Sequence, residues 1–186
     1  MTPQKFVLGG KSYAIPRNYV FHAENDGPGA VADISMRAML PDLSAMTRET
    51  AHCFLNIREP CFTEVVLLGL TKGPVPATGP EQLRNLGPIT HPDERIGLCG
   101  FHFLQTKGLE ENAFQFFFSR LDNDSDASVI RCPKNGPRSR CVANANTQEG
   151  NSFYYNFARE NLCSWTKIRG SAAELMASFR KAGETQ

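Results

Sequence analysis

Apolar residues recur every three or four positions near the end of the chain. Leu162, Trp165, Ile168, Ala172, Leu175 and Phe179 share one side with Met176, an apolar face about five turns long. Lys167, Arg169, Glu174, Arg180 and Lys181 fall on the other side. The pattern predicts an amphipathic helix entered from an aromatic strand that begins at Phe153. Ser171 and Glu174, just after Gly170, have the spacing of a capping box that restarts a helix. The apolar phase nevertheless runs through them, which predicts one helix with room for a kink. A face this one-sided needs a surface to lie on, and its apolar residues read first as core.

Much of the preceding chain reads as that surface. Lys5–Leu8 and Lys11–Ile15 around Gly9-Gly10 predict a hairpin, since Gly-Gly supplies the positive φ angles of a tight turn. Pro16 limits further pairing, and Asn18–Phe21 leads into a loop, AENDGPG. Val31–Leu40 alternates partly and predicts a strand that Pro41-Asp42 ends. Ser44–Ile57 is helical by composition, with Ser44 or Thr47 as cap. Glu64–Leu70 predicts a short buried strand, followed by a Pro/Gly-rich surface loop and a short helix from Pro80 to Asn85. Ile96–Lys107, Ala113–Leu121, Val129–Cys132, Arg140–Ala145 and Ser152–Phe157 predict five more strands. Together these elements predict an α+β fold over residues 1–186 as a single domain. Its sheet is curved and mainly antiparallel, with the C-terminal amphipathic helix packed on one face.

Composition narrows the function more than it identifies it. The 186 residues include 20 basic and 19 acidic side chains, so no basic face argues for nucleic acid. No apolar run approaches the roughly eighteen residues needed to span a bilayer. The opening MTPQKFVLGG lacks the features of a secretory signal. Either the protein stays in the cytoplasm, or a targeting segment is absent from this chain.

Six cysteines favour the second alternative: Cys53, Cys61, Cys99, Cys132, Cys141 and Cys163. Cys132 and Cys141 enclose the polar loop PKNGPRSR, and strands on both sides of it would bring the sulfurs within bonding reach. A disulfide closing so short a loop stabilises by roughly 2–3 kcal/mol and implies an oxidising compartment. Free thiols and metal ligands compete with that reading, although no second close pair completes a metal site. Cys53 and Cys61 are a second candidate pair, opposed by the placing of one of them in a helix. Cys99 and Cys163 sit among apolar residues and read as small buried side chains.

Catalytic signatures are scarce. The chain lacks a Gly-x-Ser-x-Gly elbow, a phosphate-cradling glycine loop and His-Glu-x-x-His. His22, His52, His91 and His102 are scattered, and His91-Pro92-Asp93-Glu94 reads as a solvated turn. His102 alternates with Phe101 and Phe103, as a core residue does as readily as a base; Glu64 or Asp93 would have to complete any site around it. Neighbouring His52 and Cys53 point different ways on a helix or a strand, which argues against a nucleophile pair. Asp122, Asp124 and Asp126 open like a calcium loop, but Ala127 replaces the required glycine and Pro133 the closing glutamate. They read better as an exposed acidic turn suited to a basic partner. Neither a cofactor nor a metal is expected.

Three features together resemble a family. The first is Gly9-Gly10-Lys11 with Ile15-Pro16-Arg17-Asn18-Tyr19 and, later, Arg37-Ala38-Met39-Leu40-Pro41-Asp42-Leu43. The second is Cys132 and Cys141 flanking a Pro-containing loop. The third is Tyr155-x-Phe157-x-Arg159-x-x-Leu162-x-x-Trp165-x-x-Ile168, closing in Ala177-Ser178-Phe179. In this order they resemble small bacterial immunity proteins encoded beside type VI secretion effectors. The resemblance implies a non-enzymatic periplasmic protein, free or membrane-anchored through a segment absent from this chain. It further implies steric inhibition of a toxic envelope-targeting hydrolase, such as a lipase or peptidoglycan hydrolase. Cys53, Cys61, Cys99 and Cys163 depart from that family's pattern. The AENDGPG loop, Gly73–Pro80 and Asp122–Asp126 are the protrusions suited to contact. A periplasmic module binding glycan, lipid or peptide in an aromatic pocket of the Phe101–Phe118 strands is the alternative.

Overall fold

The structure, a computed structural model, describes residues 2–27, 29–57, 61–75, 89–96, 99, 102–106, 114–118, 129–133 and 138–185. Its strands are β1 (Pro3–Leu8), β2 (Lys11–Pro16), β3 (Val20–Asn25), β4 (Val31–Met39), β5 (Val65–Thr71), β6 (Ile89–Ile96), β7 (His102–Thr106), β8 (Phe114–Phe118), β9 (Val129–Pro133), β10 (Arg140–Asn146) and β11 (Ser152–Ala158). Among the described residues two α-helices accompany them, α1 (Ala51–Leu55) and α2 (Trp165–Glu184). The strands form one sheet in the order β2-β1-β4-β5-β11-β10-β9-β8-β7-β6, with β3 added on β4. Pairing is antiparallel except where Leu8 meets Val31 in parallel. The protein is α+β, with a C-terminal helix packed on a mixed, open sheet.

The helical stripe works as its spacing predicts. Trp165, Ile168, Ala172, Met176 and Phe179 are buried, and Leu175 packs at the margin. The helix runs unbroken through Gly170 and is preceded by a 3-10 turn, Arg159–Ser164. It meets the inward residues of the sheet: Ile34 and Met36 of β4, Leu68 and Leu70 of β5, and Phe153, Tyr155 and Phe157 of β11. The β1–β2 hairpin closes this layer with Leu8, Tyr13 and Ile15. Its turn places Gly9 and Gly10 at φ 57° and 73°, a conformation glycine adopts without steric cost. Helix and hairpin approach closely at Gly183, where an added Cβ would lie 2.6 Å from the Ser12 carbonyl carbon.

A buried asparagine locks the hairpin to the sheet. Asn151 Nδ2 donates to the Leu8 carbonyl at 3.3 Å and to Tyr13 Oη at 3.0 Å. Its Oδ1 accepts from the Gly73 amide at 3.2 Å. The side chain therefore ties β1, β2 and the end of β5 to the β10–β11 turn, and every polar atom it buries has a partner. Burial raises the Tyr13 phenol above its ordinary pKa, with the Asn151 hydrogen bond opposing.

The structure corrects several readings of the sequence. Part of the AENDGPG loop belongs to β3, an edge strand whose mostly exposed side chains lack an apolar alternation. His91 and Pro92 lie in β6, at the end of the sheet order, where a missing N–H breaks no inner ladder. The long strand expected from Ile96 is divided, because Cys99 takes φ 66° and cannot continue β geometry. The helix expected over Ser44–Ile57 shrinks to α1. Ser44 bridges Met39 instead, and Thr47 and Thr50 exchange side chain–backbone hydrogen bonds ahead of the helix. The helix expected from Pro80 to Asn85 lies outside the described residues.

Candidate functional site

The face of the sheet turned away from α2 can be read row by row from the strand register. Residues directly opposed on neighbouring strands point to the same side. One row runs His22–Ser35–Gly69–Tyr154–Asn144, and the next Arg37–Leu67–Asn156–Val142–Arg131. On the far side of the first lies Glu24–Asp33–Thr71–Ser152–Asn146. Each alternates with the core residues under the helix, so these rows form the opposite, largely polar surface.

Gly69 makes the centre of this surface flat. Its missing side chain lets the Tyr154 ring lie across the neighbouring strand. Ser35 Oγ donates to Asp33 Oδ1 at 3.1 Å and lies 3.3 Å from Tyr154 Oη. With the serine proton committed to Asp33, the tyrosine is the donor in the second contact. Thr71 Oγ1 donates to the other Asp33 oxygen at 2.8 Å. The carboxylate is thus held by two hydroxyls, and the network fixes the ring.

The other end of the face is cationic. Arg37 stacks under Phe21, its guanidinium carbon 3.7 Å from the ring centroid. A register shift between Val20 and His22 accompanies that placement of Phe21, whose side chain is 63% exposed. Arg37 Nε is buried without a hydrogen-bond partner among the described residues, and burial lowers its pKa. Arg140 donates to the carbonyls of Phe62 at 3.0 Å and Asn156 at 2.8 Å, and also to the Val65 carbonyl and Asn156 Oδ1. Burial, reinforced by Arg37 and opposed by Glu160, pushes it down to about 10. It remains charged at neutral pH. The exposed phenylalanine and the half-buried arginine beneath it are both of residue types enriched at protein interfaces.

A small second core bounds this end. Met39 and Val65 pack with Cys53, Phe54 and Cys61 beneath α1 and the 3-10 turn Cys61–Thr63. The Cys53–Cys61 disulfide staples that lid, and Leu55 projects from it 82% exposed. The adjacent His52 reaches Cys53 after all: its Nε2 lies 3.3 Å from Sγ. The side chains meet because His52 sits at the exposed start of a short helix and folds back, its Nδ1 2.9 Å from the Glu49 carbonyl oxygen. The contact makes no nucleophile, since the sulfur is bonded to Cys61. For the same reason His52, Cys53 and Cys61, which converge within 4.8 Å, present no pair of thiolates to a metal.

Cys132 and Cys141 are bonded across β9 and β10, both buried, with Cα atoms 4.2 Å apart. Continuing the register of Arg131 with Val142 places them directly opposite. Cys99 and Cys163, read from sequence as buried single residues, are bonded to each other and exposed. Three disulfides belong to an oxidising compartment. Asp122, Asp124 and Asp126 lie outside the described residues, as do residues 76–80 of the Pro/Gly-rich loop. The side chains of His91 and His102 do too, and with them the aromatic pocket expected in those strands. No helix among the described residues is long and apolar enough to cross a membrane.

Sequence reasoning did not assemble this face, although its signal was present. Asp33, Ser35 and Arg37 alternate along one strand, and Tyr154 and Asn156 along another. Only the register brings them together. No family model and no curated protein sequence matches the chain. Its fold is similar to the solved structure of Smlt3025, described as an immunity protein of the Stenotrophomonas maltophilia type IV secretion system. The likeness has a TM-score of 0.63 at 14% identity and covers 96% of this chain and 93% of that one. A likeness of this kind, nearly end to end at low identity, is one of fold.

Proposed function

We propose that this chain is an immunity protein that binds a toxic secreted effector and blocks it sterically. The observation that carries the reading is the fold it shares, over almost its whole length, with an immunity protein of a secretion system. The polar face with Phe21, Arg37 and Tyr154 supports it. That face is braced from behind by the helical core and pinned by a fixed hydrogen-bond network, and a rigid surface is what a tight inhibitor needs. Its three disulfides suit the periplasm, where the target of an envelope hydrolase lies. The sequence resemblance points to type VI delivery, whereas the structural neighbour serves a type IV system. Secretion of the captured effector from strains lacking one or other apparatus decides between them.

The test is capture with the oxidised, tagged protein from an envelope extract of its own organism, followed by a high-salt wash. Retention of one toxic secreted protein in near-equal amount, and loss of its toxicity at that ratio, is the expected result. Retention of glycan or lipid with no protein would overturn the reading in favour of an envelope-binding module.

A further inference from the structure

We propose that the groove between β1 and β3 receives an extended, acidic segment of the partner protein as an added β-strand. The groove holds about 560 Å³ and is lined by Lys5, Phe6, Arg17, Phe21, His22 and Ala23 among others. Both of its walls are strand edges. Among the described strands β3 pairs with β4 alone, and β1, beyond its hairpin partner β2, touches β4 only at Leu8. Such an edge is a template for another chain unless something covers it.

The direction of the free hydrogen-bonding groups follows from the ladder on β4. The Ala32 carbonyl accepts from Lys72, and the Leu40 amide donates to the Glu64 carbonyl, so even-numbered residues of β4 face β5. Odd-numbered residues face β3, as the bond from the Arg37 amide to the Tyr19 carbonyl shows. His22 and Glu24, opposite Ser35 and Asp33, thus turn their backbone groups to β4. Ala23 between them turns its N–H and C=O into the groove.

Charge selects the occupant. Lys5 and Arg17 line the groove, no Asp or Glu among the described residues does, and Phe21 at its rim stacks on Arg37. An extended segment bearing Asp or Glu on alternate residues would present carboxylates to this wall while its backbone pairs with Ala23. That the segment belongs to an effector rests on the immunity reading; the strand addition itself does not.

The experiment uses the oxidised full chain and a short synthetic peptide alternating Val and Asp, with a Val–Lys peptide of equal length as control. Hydrogen exchange of the Ala23 amide should slow about tenfold with the acidic peptide and remain unchanged with the basic one. Ala23→Pro, which removes the outward N–H without touching the ladder to β4, should abolish binding of the labelled acidic peptide, read by fluorescence anisotropy. Should that variant fail to fold, Lys5→Glu combined with Arg17→Glu, both exposed positions, should transfer the preference to the basic peptide. Equal protection by both peptides, no protection by either, or pairing of the edge with a second copy of the chain at higher concentration would each overturn the proposal. An effector captured undiminished by both variants would remove this groove from the interface and leave the immunity reading standing.

Discussion

Replacing Gly69 with alanine tests whether the open face is as tightly assembled as its geometry implies. A methyl carbon built on Gly69 would fall inside the Tyr154 ring, 2.5 Å from its hydroxyl oxygen and nearer still to Cε1 and Cζ. The ring cannot yield by a small rotation, so it must leave the strand and release its contact with Ser35. Overpacking of this kind costs about 1–3 kcal/mol, and the lost hydrogen bond about 0.5–1.5 kcal/mol. Removing a glycine from a strand returns about 0.5–1 kcal/mol, leaving a net loss of about 0.5–4 kcal/mol, centred near 2. Urea denaturation of the parent, Gly69→Ala, Tyr154→Ala and the double variant measures it, with an unchanged slope as the control for two-state behaviour. Once Tyr154 is gone the ring that the added methyl strikes is gone with it, so the double variant should be no less stable than Tyr154→Ala alone. The two changes are then coupled by at least about 1 kcal/mol. A Gly69→Ala protein within about 0.5 kcal/mol of the parent, or strictly additive losses, would refute the reasoning.

Four other outcomes follow from the same structure. Asn151→Ala should cost about 2–4 kcal/mol in denaturant, because it strands the Leu8 carbonyl, Tyr13 Oη and the Gly73 amide in or near the core. Arg140→Leu should cost a similar amount by leaving the carbonyls of Phe62, Val65 and Asn156 without their donor. With the arginine at about 10, below its ordinary value but above neutrality, folded and unfolded chains both keep the proton. That loss should therefore be the same from about pH 6 to about pH 8. Gly183→Ala should lower the thermal midpoint by forcing α2 off β2, at about 1–3 kcal/mol. Under graded reductant, alkylation and mass spectrometry should find Cys99–Cys163 opening before the two buried bridges. Its opening should cost the most stability, roughly 4 kcal/mol against roughly 2.5 for either short loop.

Where local pattern and final environment agreed, the fold was legible in the sequence. The stripe from Leu162 to Phe179 carried its own period, and Gly9-Gly10 carried its own turn. β3 was not legible because an edge strand with FHAEN exposed on most positions has no apolar partner to alternate against. β6 hid behind Pro92, which only an end-of-sheet position tolerates. Cys99 and Cys163 are 64 residues apart, and nothing local announces a bond at that distance. The candidate face was the least legible part. Its rows join β3, β4, β5, β11 and β10, and the alignment of Ser35 with Gly69 and Tyr154 exists only after three distant segments have chosen one register. His52 shows the same limit at small scale, since a backward-folded side chain escapes any rule drawn from sequence spacing.

The seam between β5 and β11 also sets when the molecule can become itself. Val65–Thr71 waits for Ser152–Ala158, about eighty residues later, before its second edge is paired, and closing so long a loop precedes any reward from the contact. The layer on top waits longer still, because α2 follows β11 and seats its last turn on β2, far back in the chain. A nascent chain emerging from the ribosome therefore lacks a finished sheet until β11 has been made and a finished core until α2 has followed it. Such late closure keeps the polypeptide open during its production, the condition in which a thread can still be passed through a narrow pore and its cysteines oxidised on the far side.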